Sequence, residues 1–180
     1  ISHVFPRLRD KVTTTEALTA TIDRYAAEFD YLTFDITVYE AGGTAWTQGL
    51  PGWAIGSDFS PLAELARSTQ WRADVEKYLD DQAQGWVVDW PNLVVTKVNK
   101  LANRSALGQP LAELAAAAGI PPSAYAVDLL AADGHFWVSP PNKRGGDIVE
   151  LLSHDRCIPM VDGMTVDPRD PAGVVGLERS

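Results

Sequence analysis

The residue types best suited to covalent chemistry stand together in one short run, Ser153-His154-Asp155-Arg156-Cys157. A thiolate nucleophile needs a neighbouring base or positive charge that lowers its pKa, and the base needs a partner that orients it. His154, Asp155 and Arg156 have the chemistry for those roles beside Cys157. Catalytic partners usually converge from separate segments, however. A small enzyme that uses His154 and Cys157 is therefore one alternative function, and a surface loop with a half-buried cysteine is the simpler interpretation.

The spacing of the other polar residues does not point to a metal or a cofactor. The histidines His3, His135 and His154 include no pair at i,i+4 or alternate-strand spacing. The single cysteine, Cys157, excludes an internal disulfide and a thiolate zinc cage. The glycines and bases of residues 140–146 lack the strand–GxxxxGK–helix context of a phosphate-binding loop. We therefore predict no metal site and no cofactor.

The composition describes an acidic globular protein. The chain holds 15 lysines and arginines against 24 aspartates and glutamates, so its formal net charge is −9 at pH 7. Such a charge keeps a protein soluble and disfavours binding to nucleic acid. No run approaches the roughly 18 consecutive apolar residues of a membrane span. The single cysteine is compatible with the cytoplasm, the compartment we favour, although a chain that begins with Ile1 need not show its targeting signal.

Tryptophan is abundant in this chain, which has six in 180 residues. Trp46, Trp53 and Trp90 lie in or beside predicted loops, where aromatic side chains can stay partly exposed and mark protein interfaces. Lys143 and Arg144 lie in a proline- and glycine-rich loop that is suited to an acidic partner. These five residues form the predicted partner-binding site.

The first two elements that the sequence predicts are a helix and a strand. Thr13 and Glu16 have the spacing of a capping box, and apolar residues then recur every three or four positions. This pattern predicts a helix over residues 14–29. Residues 31–40 alternate apolar with polar side chains, which predicts a half-buried strand.

A hairpin and a helical region are predicted next. Gly42-Gly43 has the residue types of a tight turn, so residues 44–48 should return antiparallel to the preceding strand. Ser60-Pro61 has the types of a helix N-cap and first turn. The apolar stripe then changes phase near residues 68–69, which predicts two helices. Further along, residues 86–89 and 93–98 predict two strands around a turn at Trp90-Pro91-Asn92.

Residues 111–152 resemble the winged helix-turn-helix of bacterial regulators such as the GntR family. Leu114-Ala115, Ala118-Gly119-Ile120 and Tyr125 fall where that motif places its small, turn and packing residues. The resemblance implies a recognition helix over 123–130, strands over 135–138 and 148–152, and DNA binding. The segment departs from the family because its recognition helix contains no Lys or Arg to contact phosphates or guanine. An alanine-rich helix with a glycine C-cap, followed by a hairpin, is the simpler interpretation.

These elements predict an α+β fold in which helices cover one face of a mostly antiparallel sheet. We expect an extended lead-in over residues 1–12, a single domain over 13–159, and an Asp/Pro/Gly-rich tail over 160–180. The favoured function is a non-catalytic protein-interaction module, of the accessory, immunity or assembly type. Its expected partner is another protein or a further copy of the chain. A winged-helix DNA-binding domain and a small enzyme are the alternatives.

Overall fold

A computed structural model describes residues 1–5, 14–29, 31–55, 61–81, 88–139 and 145–161 of the chain. These residues contain seven α-helices, five β-strands and three 3-10 turns, which confirms the predicted α+β class. They divide into two compact units. Of the described residues, unit 1 contains 1–5, 14–29, 31–42 and 145–161, and unit 2 contains 43–55, 61–81 and 88–139. The predicted tail lies almost entirely outside the described residues.

Unit 1 is built from two helices and two strands. They are α1 (Thr15–Ala26), β1 (Phe34–Thr37), α7 (Gly145–Leu152) and β5 (Cys157–Met160). The predicted first helix exists, but it ends at Ala26 instead of Phe29, and its N-cap is Thr14 instead of the predicted Thr13, since the Thr14 hydroxyl accepts from the Ala17 N–H at 3.2 Å. Thr13 lies outside the described residues. Strands β1 and β5 pair in parallel, with Phe34 opposite Cys157.

Unit 2 holds a three-stranded antiparallel sheet in the order β2-β4-β3. Its elements, in chain order, are β2 (Thr44–Ala45), α2 (Gly52–Ile55), α3 (Leu62–Leu65), α4 (Thr69–Asp81), β3 (Val94–Val98), α5 (Leu111–Ala118), α6 (Pro122–Asp133) and β4 (Phe136–Ser139). The 3-10 turns span Trp46–Gly49, Trp90–Asn92 and Leu101–Ala106. Helices α3, α4 and α5 all pack against α6, which makes α6 the central helix of this unit.

Several predicted boundaries in unit 2 are confirmed. The helical region breaks between α3 and α4, where the apolar stripe changes phase. The turn at Trp90–Asn92 leads into β3. Helix α5 ends at Gly119, whose φ of 69° lies in the left-handed region that glycine adopts without strain. Of the predicted strand over 86–89, residues 86–87 lie outside the described range and residues 88–89 are not in a strand.

Two predictions of strand pairing are wrong. The strand over residues 31–40 does not form a hairpin with 44–48, since β1 pairs with β5 and β2 pairs with β4. Residues 148–152 are part of helix α7, so the second strand of the predicted wing does not exist. The first error arises because local pattern sets which side of a strand is apolar, whereas pairing depends on distant contacts. The second arises because a short apolar run fits either a strand or a buried helix.

Candidate functional site

Two of the predicted partner-binding tryptophans lie in the core of unit 2. Trp46 is 0% exposed and Trp90 is 8% exposed. The Trp46 ring stacks on Phe136 with a centroid distance of 5.6 Å and lies 5.7 Å from the Trp90 ring. This burial does not favour contact of these two side chains with a partner, and their assignment to a partner-binding site stays a prediction. Each starts a 3-10 turn that directs its indole inward, and loop location alone does not reveal that direction.

Of the other predicted partner-binding residues, the structure describes only Trp53. Trp53, in the short helix α2, is 57% exposed. An exposed indole of this kind is compatible with a contact surface, so Trp53 stays a prediction. Lys143 and Arg144 lie outside the described residues.

The cysteine of the His154–Cys157 run is poorly suited to act as a nucleophile. Cys157 begins β5 and packs against the apolar cluster of unit 1. Burial raises the pKa of its thiol above the ordinary value, and the Asp35 carboxylate adds to the shift. The thiol is therefore held in its neutral form, which is neither a good nucleophile nor a good metal ligand.

The neighbouring histidine is engaged in contacts that hold unit 1 together. The Nε2 atom of His154 lies 3.2 Å from the Asp23 carboxylate of α1, and its ring meets the Phe34 ring edge-on at 5.3 Å. Its Nδ1 accepts from the Arg156 N–H at 3.2 Å. These contacts give His154 a packing role between α1 and β1, so the geometry does not favour the small-enzyme alternative.

Helix α6 lacks the side chains that a recognition helix requires. Its buried residues lie on one side of the helix: Ser123, Ala126, Val127, Leu129, Leu130 and Asp133. On the other side Asp128 and Ala132 are exposed, and the helix contains no Lys or Arg to contact phosphates or bases. This composition does not favour the DNA-binding alternative, and the helical state of α7 removes the second strand of the predicted wing.

The three histidines are divided between the two compact units. His3 and His154 belong to unit 1, and His135 belongs to unit 2. His135 accepts a hydrogen bond at its Nε2 from the Trp137 indole N–H at 3.0 Å. Burial, reinforced by the charge of Lys97, lowers the pKa of His135. Within the ranges that the structure describes, no group of three or more His, Cys, Asp or Glu side chains is placed to hold a metal ion.

The parallel strands of unit 1 form a surface that sequence reasoning missed. Besides β5, strand β1 has a second parallel neighbour, the segment from Ile1 to Val4. The Ile1 nitrogen donates to the Thr33 carbonyl at 2.7 Å, and the Asp35 N–H donates to the Ile1 carbonyl at 2.9 Å. In a parallel pair of strands, the N–H and C=O of one residue bond to the two residues that flank its partner, as Ile1 does here with Thr33 and Asp35. Strand β1 therefore lies between β5, which pairs with it over four residues, and the N-terminal segment, which joins it by one parallel bridge at Ile1 and bends at His3, where φ is 58°.

One face of these strands is covered by helices, and it carries the apolar cluster of unit 1. Ile22 of α1 and two residues of α7 pack against Phe34 and Ile36 of β1. The alternate residues of the strands point to the opposite face. There Asp35 lies beside Ile158, which is 53% exposed, while Thr37 is buried.

Asp35 anchors the N-terminal segment to β1 on that opposite face. Its Oδ1 accepts from the Ser2 hydroxyl at 3.0 Å and from the His3 N–H at 2.8 Å. The His3 hydrogen bond is the main cause of a lowered Asp35 pKa, so the carboxylate stays charged at neutral pH. A sequence signal for this unit did exist: Ile148, Leu151 and Leu152 have helical spacing directly before β5.

No single described helix is long and apolar enough to span a membrane. Helices α5 and α6 reach the required length and composition only as a pair, and they are bent by 93° to one another.

Comparison with known proteins gives a likeness of fold. No family model matches the chain, and no curated protein matches it. Among solved structures, the chain resembles the N-acyl-D-glutamate deacylase from Bordetella bronchiseptica, crystallised with zinc and a phosphonate inhibitor that mimics the tetrahedral intermediate of its reaction. The TM-score is 0.56, the identity is 15%, and the match covers 88% of this chain. It spans 24% of the deacylase chain.

Proposed function

We propose that this chain is a protein-interaction module of the assembly type, and that unit 1 binds further polypeptide through its parallel strands. The observation that supports the proposal is the exposure of Ile158 on the strand face opposite α1 and α7. Parallel sheets in proteins are covered on both faces, because both faces are apolar. A parallel strand that leaves an isoleucine 53% exposed therefore favours a contact with other protein.

The size of the sheet supports the same proposal. Within the described residues, β5 pairs with β1 alone. Two or three short strands are below the four to six, as a rough mode, of sheets in globular proteins. Additional strands or a covering layer would bury Ile158 and remove it from water. Full burial of such a side chain contributes about 1.5–3 kcal/mol.

The experiment examines the native polypeptide that contains this sequence. An antibody to unit 2 is used on native extract, followed by denaturing and native size separation. We expect a polypeptide larger than the 19.5 kDa of this chain, or a complex of fixed composition. A free 19.5 kDa monomer in the native separation would contradict the proposal.

A pair of matched variants then locates the contact. Ile158→Lys places a charge on the exposed strand face, whereas Val149→Lys places one on an exposed position of α7. We expect the first variant to lower the yield of the native assembly by on the order of tenfold, because a lysine cannot be buried without a partner. The second should leave the yield unchanged. Equal yields for both variants would place the contact elsewhere on the chain.

The fold likeness favours a second candidate function. The match covers 88% of this chain and a quarter of a zinc-containing deacylase. We therefore propose, as the alternative, that the chain is a section of a larger hydrolase that acts on N-acylated amino acids. The described residues do not form a metal site by themselves, so we derive no catalytic step through zinc from them.

The alternative is tested on the same native polypeptide. Purified material is analysed for bound zinc and assayed for release of glutamate from N-acetyl-D-glutamate, with N-acetyl-L-glutamate as the stereochemical control. Zinc together with hydrolysis of an N-acyl substrate would support the hydrolase. A native assembly that contains neither zinc nor hydrolytic activity would leave the non-catalytic module as the function.

A further inference from the structure

The order of the parallel segments in unit 1 restricts what can cover their exposed face. Along the chain, the Ile1–Val4 segment is followed by α1 and then β1, and α7 is followed by β5. The first segment and β5 lie on opposite sides of β1. Successive parallel strands therefore step across the sheet in one direction.

The order of the parallel segments determines the face of the sheet on which the helices lie. Helix α1 connects two adjacent parallel segments, and such crossovers are right-handed in about 98% of cases. Strands that step in one direction with crossovers of one hand place every helix on the same face. The contacts agree, since Ile22 of α1 and Ile148 of α7 both pack on the face of Phe34 and Ile36, and α1 contacts α7. A second helical layer on the opposite face would require the strand order to reverse, as in doubly wound sheets.

From this geometry we infer that the occupant of the exposed face is a set of further parallel β/α units, whose strands continue the series and close the sheet into a barrel. The inference rests on the proposed function, because it names the partner of the same strand surface. In a closed parallel barrel the helices form the outer ring, and the inward-pointing side chains of the strands pack together in layers. Asp35 and Ile158 are then inward-pointing, and α1 and α7 belong to the outer ring.

The extent of the fold likeness supports this occupant over a second copy of the chain. A fold that accounts for nearly all of this chain occupies only 24% of the deacylase chain, so the same arrangement exists beside a much larger amount of polypeptide. A two-fold dimer that extended the sheet at β5 would, in contrast, bring two copies of β5 together in opposite directions. That pairing would end the parallel series instead of extending it.

Thiol labelling tests the inference. The single cysteine is first replaced by Cys157→Ser, and a new thiol is then introduced by Ile158→Cys or, as the matched control, by Val149→Cys on the outer side of α7. Maleimide labelling rates are measured for the isolated 180-residue chain and for the native larger form. Circular dichroism establishes that both variants are folded before they are compared.

We expect both thiols to label rapidly in the isolated chain. In the native larger form the Ile158→Cys thiol should label on the order of 100-fold more slowly, because reaction requires opening of a packed interior. The Val149→Cys rate should not change. A larger form in which both thiols label equally fast overturns the inference and leaves the proposed function standing. Protection that appears in the isolated chain as its concentration rises identifies a second copy as the occupant and also overturns it. If no larger native form exists, both the inference and the proposed function are overturned.

Discussion

Asp133 at the end of α6 gives the sharpest stability prediction for unit 2. Its side chain is 4% exposed and accepts three hydrogen bonds. Oδ2 accepts from the Asn99 N–H at 2.7 Å, and Oδ1 accepts from the Lys100 N–H at 2.9 Å and the Asn103 side-chain amide at 2.9 Å. The carboxylate thus fixes the turn between β3 and the following 3-10 helix to the end of α6. It also satisfies two backbone donors that belong to neither element.

The substitution Asp133→Asn keeps the shape and removes the charge. The new amide can keep its oxygen toward Lys100 and Asn103, but its NH₂ group then faces the Asn99 N–H. A charge-assisted hydrogen bond is lost and a buried donor is left unsatisfied, which costs about 1.5–3 kcal/mol. For a chain of this size that corresponds to a decrease in Tm of about 3–12 °C. Asp133→Ala leaves all three donors without an acceptor and should cost more, about 3–5 kcal/mol.

The assay is urea unfolding followed by tryptophan fluorescence, because Trp46 and Trp90 are buried in the same unit. Asp80→Asn, the same chemical change at an exposed position of α4, is the control and should stay within about 0.5 kcal/mol of the wild type. If Asp133→Asn also stays within that range, the three hydrogen bonds do not hold the turn and the reasoning is wrong.

Three further predictions concern the thiol, a histidine and two glycines. Because burial raises the pKa of Cys157, its alkylation by iodoacetamide at pH 7 should be slower than that of free cysteine and should rise only in alkaline solution; a rate equal to that of free cysteine would contradict the burial. His135 has a lowered pKa, so its contribution to stability is complete above the ordinary histidine pKa and is lost as pH falls through the folded value. Lys97→Met should raise the His135 pKa, measured by NMR titration, and an unchanged value would exclude Lys97 as a cause. Gly119→Ala should lower the free energy of unfolding by about 1 kcal/mol, because the φ of Gly119 is 69°. Gly146→Ala, inside α7 where the added methyl meets no atom, should raise it by about 0.5–1 kcal/mol. Chemical denaturation measures both changes, and equal changes would show that the backbone conformation of the glycine is not their cause.

The candidate sites show where local pattern is sufficient and where it is not. The sequence placed Trp53 and Trp46 in the same class, as aromatic residues in loops. The fold separated them, because Trp46 stacks on Phe136 from a strand 90 residues away while Trp53 projects from a short surface helix. Residues His154 and Cys157 are three positions apart in sequence, yet the histidine contacts α1 and the thiol faces the apolar cluster. Sequence adjacency carries no information about those environments.

The sequence by itself determined the elements whose causes are local. The apolar spacing of α1, the break between α3 and α4 and the glycine end of α5 all follow from residues within one or two helical turns. The α+β class follows from the order of those elements. Only the tertiary structure decided which strands pair, that β1 joins β5 in parallel across more than 100 residues, and which aromatic side chains are buried. Period-two alternation defines the two faces of a strand but not its neighbour, since the same backbone groups bond equally well to any strand that packing brings beside them.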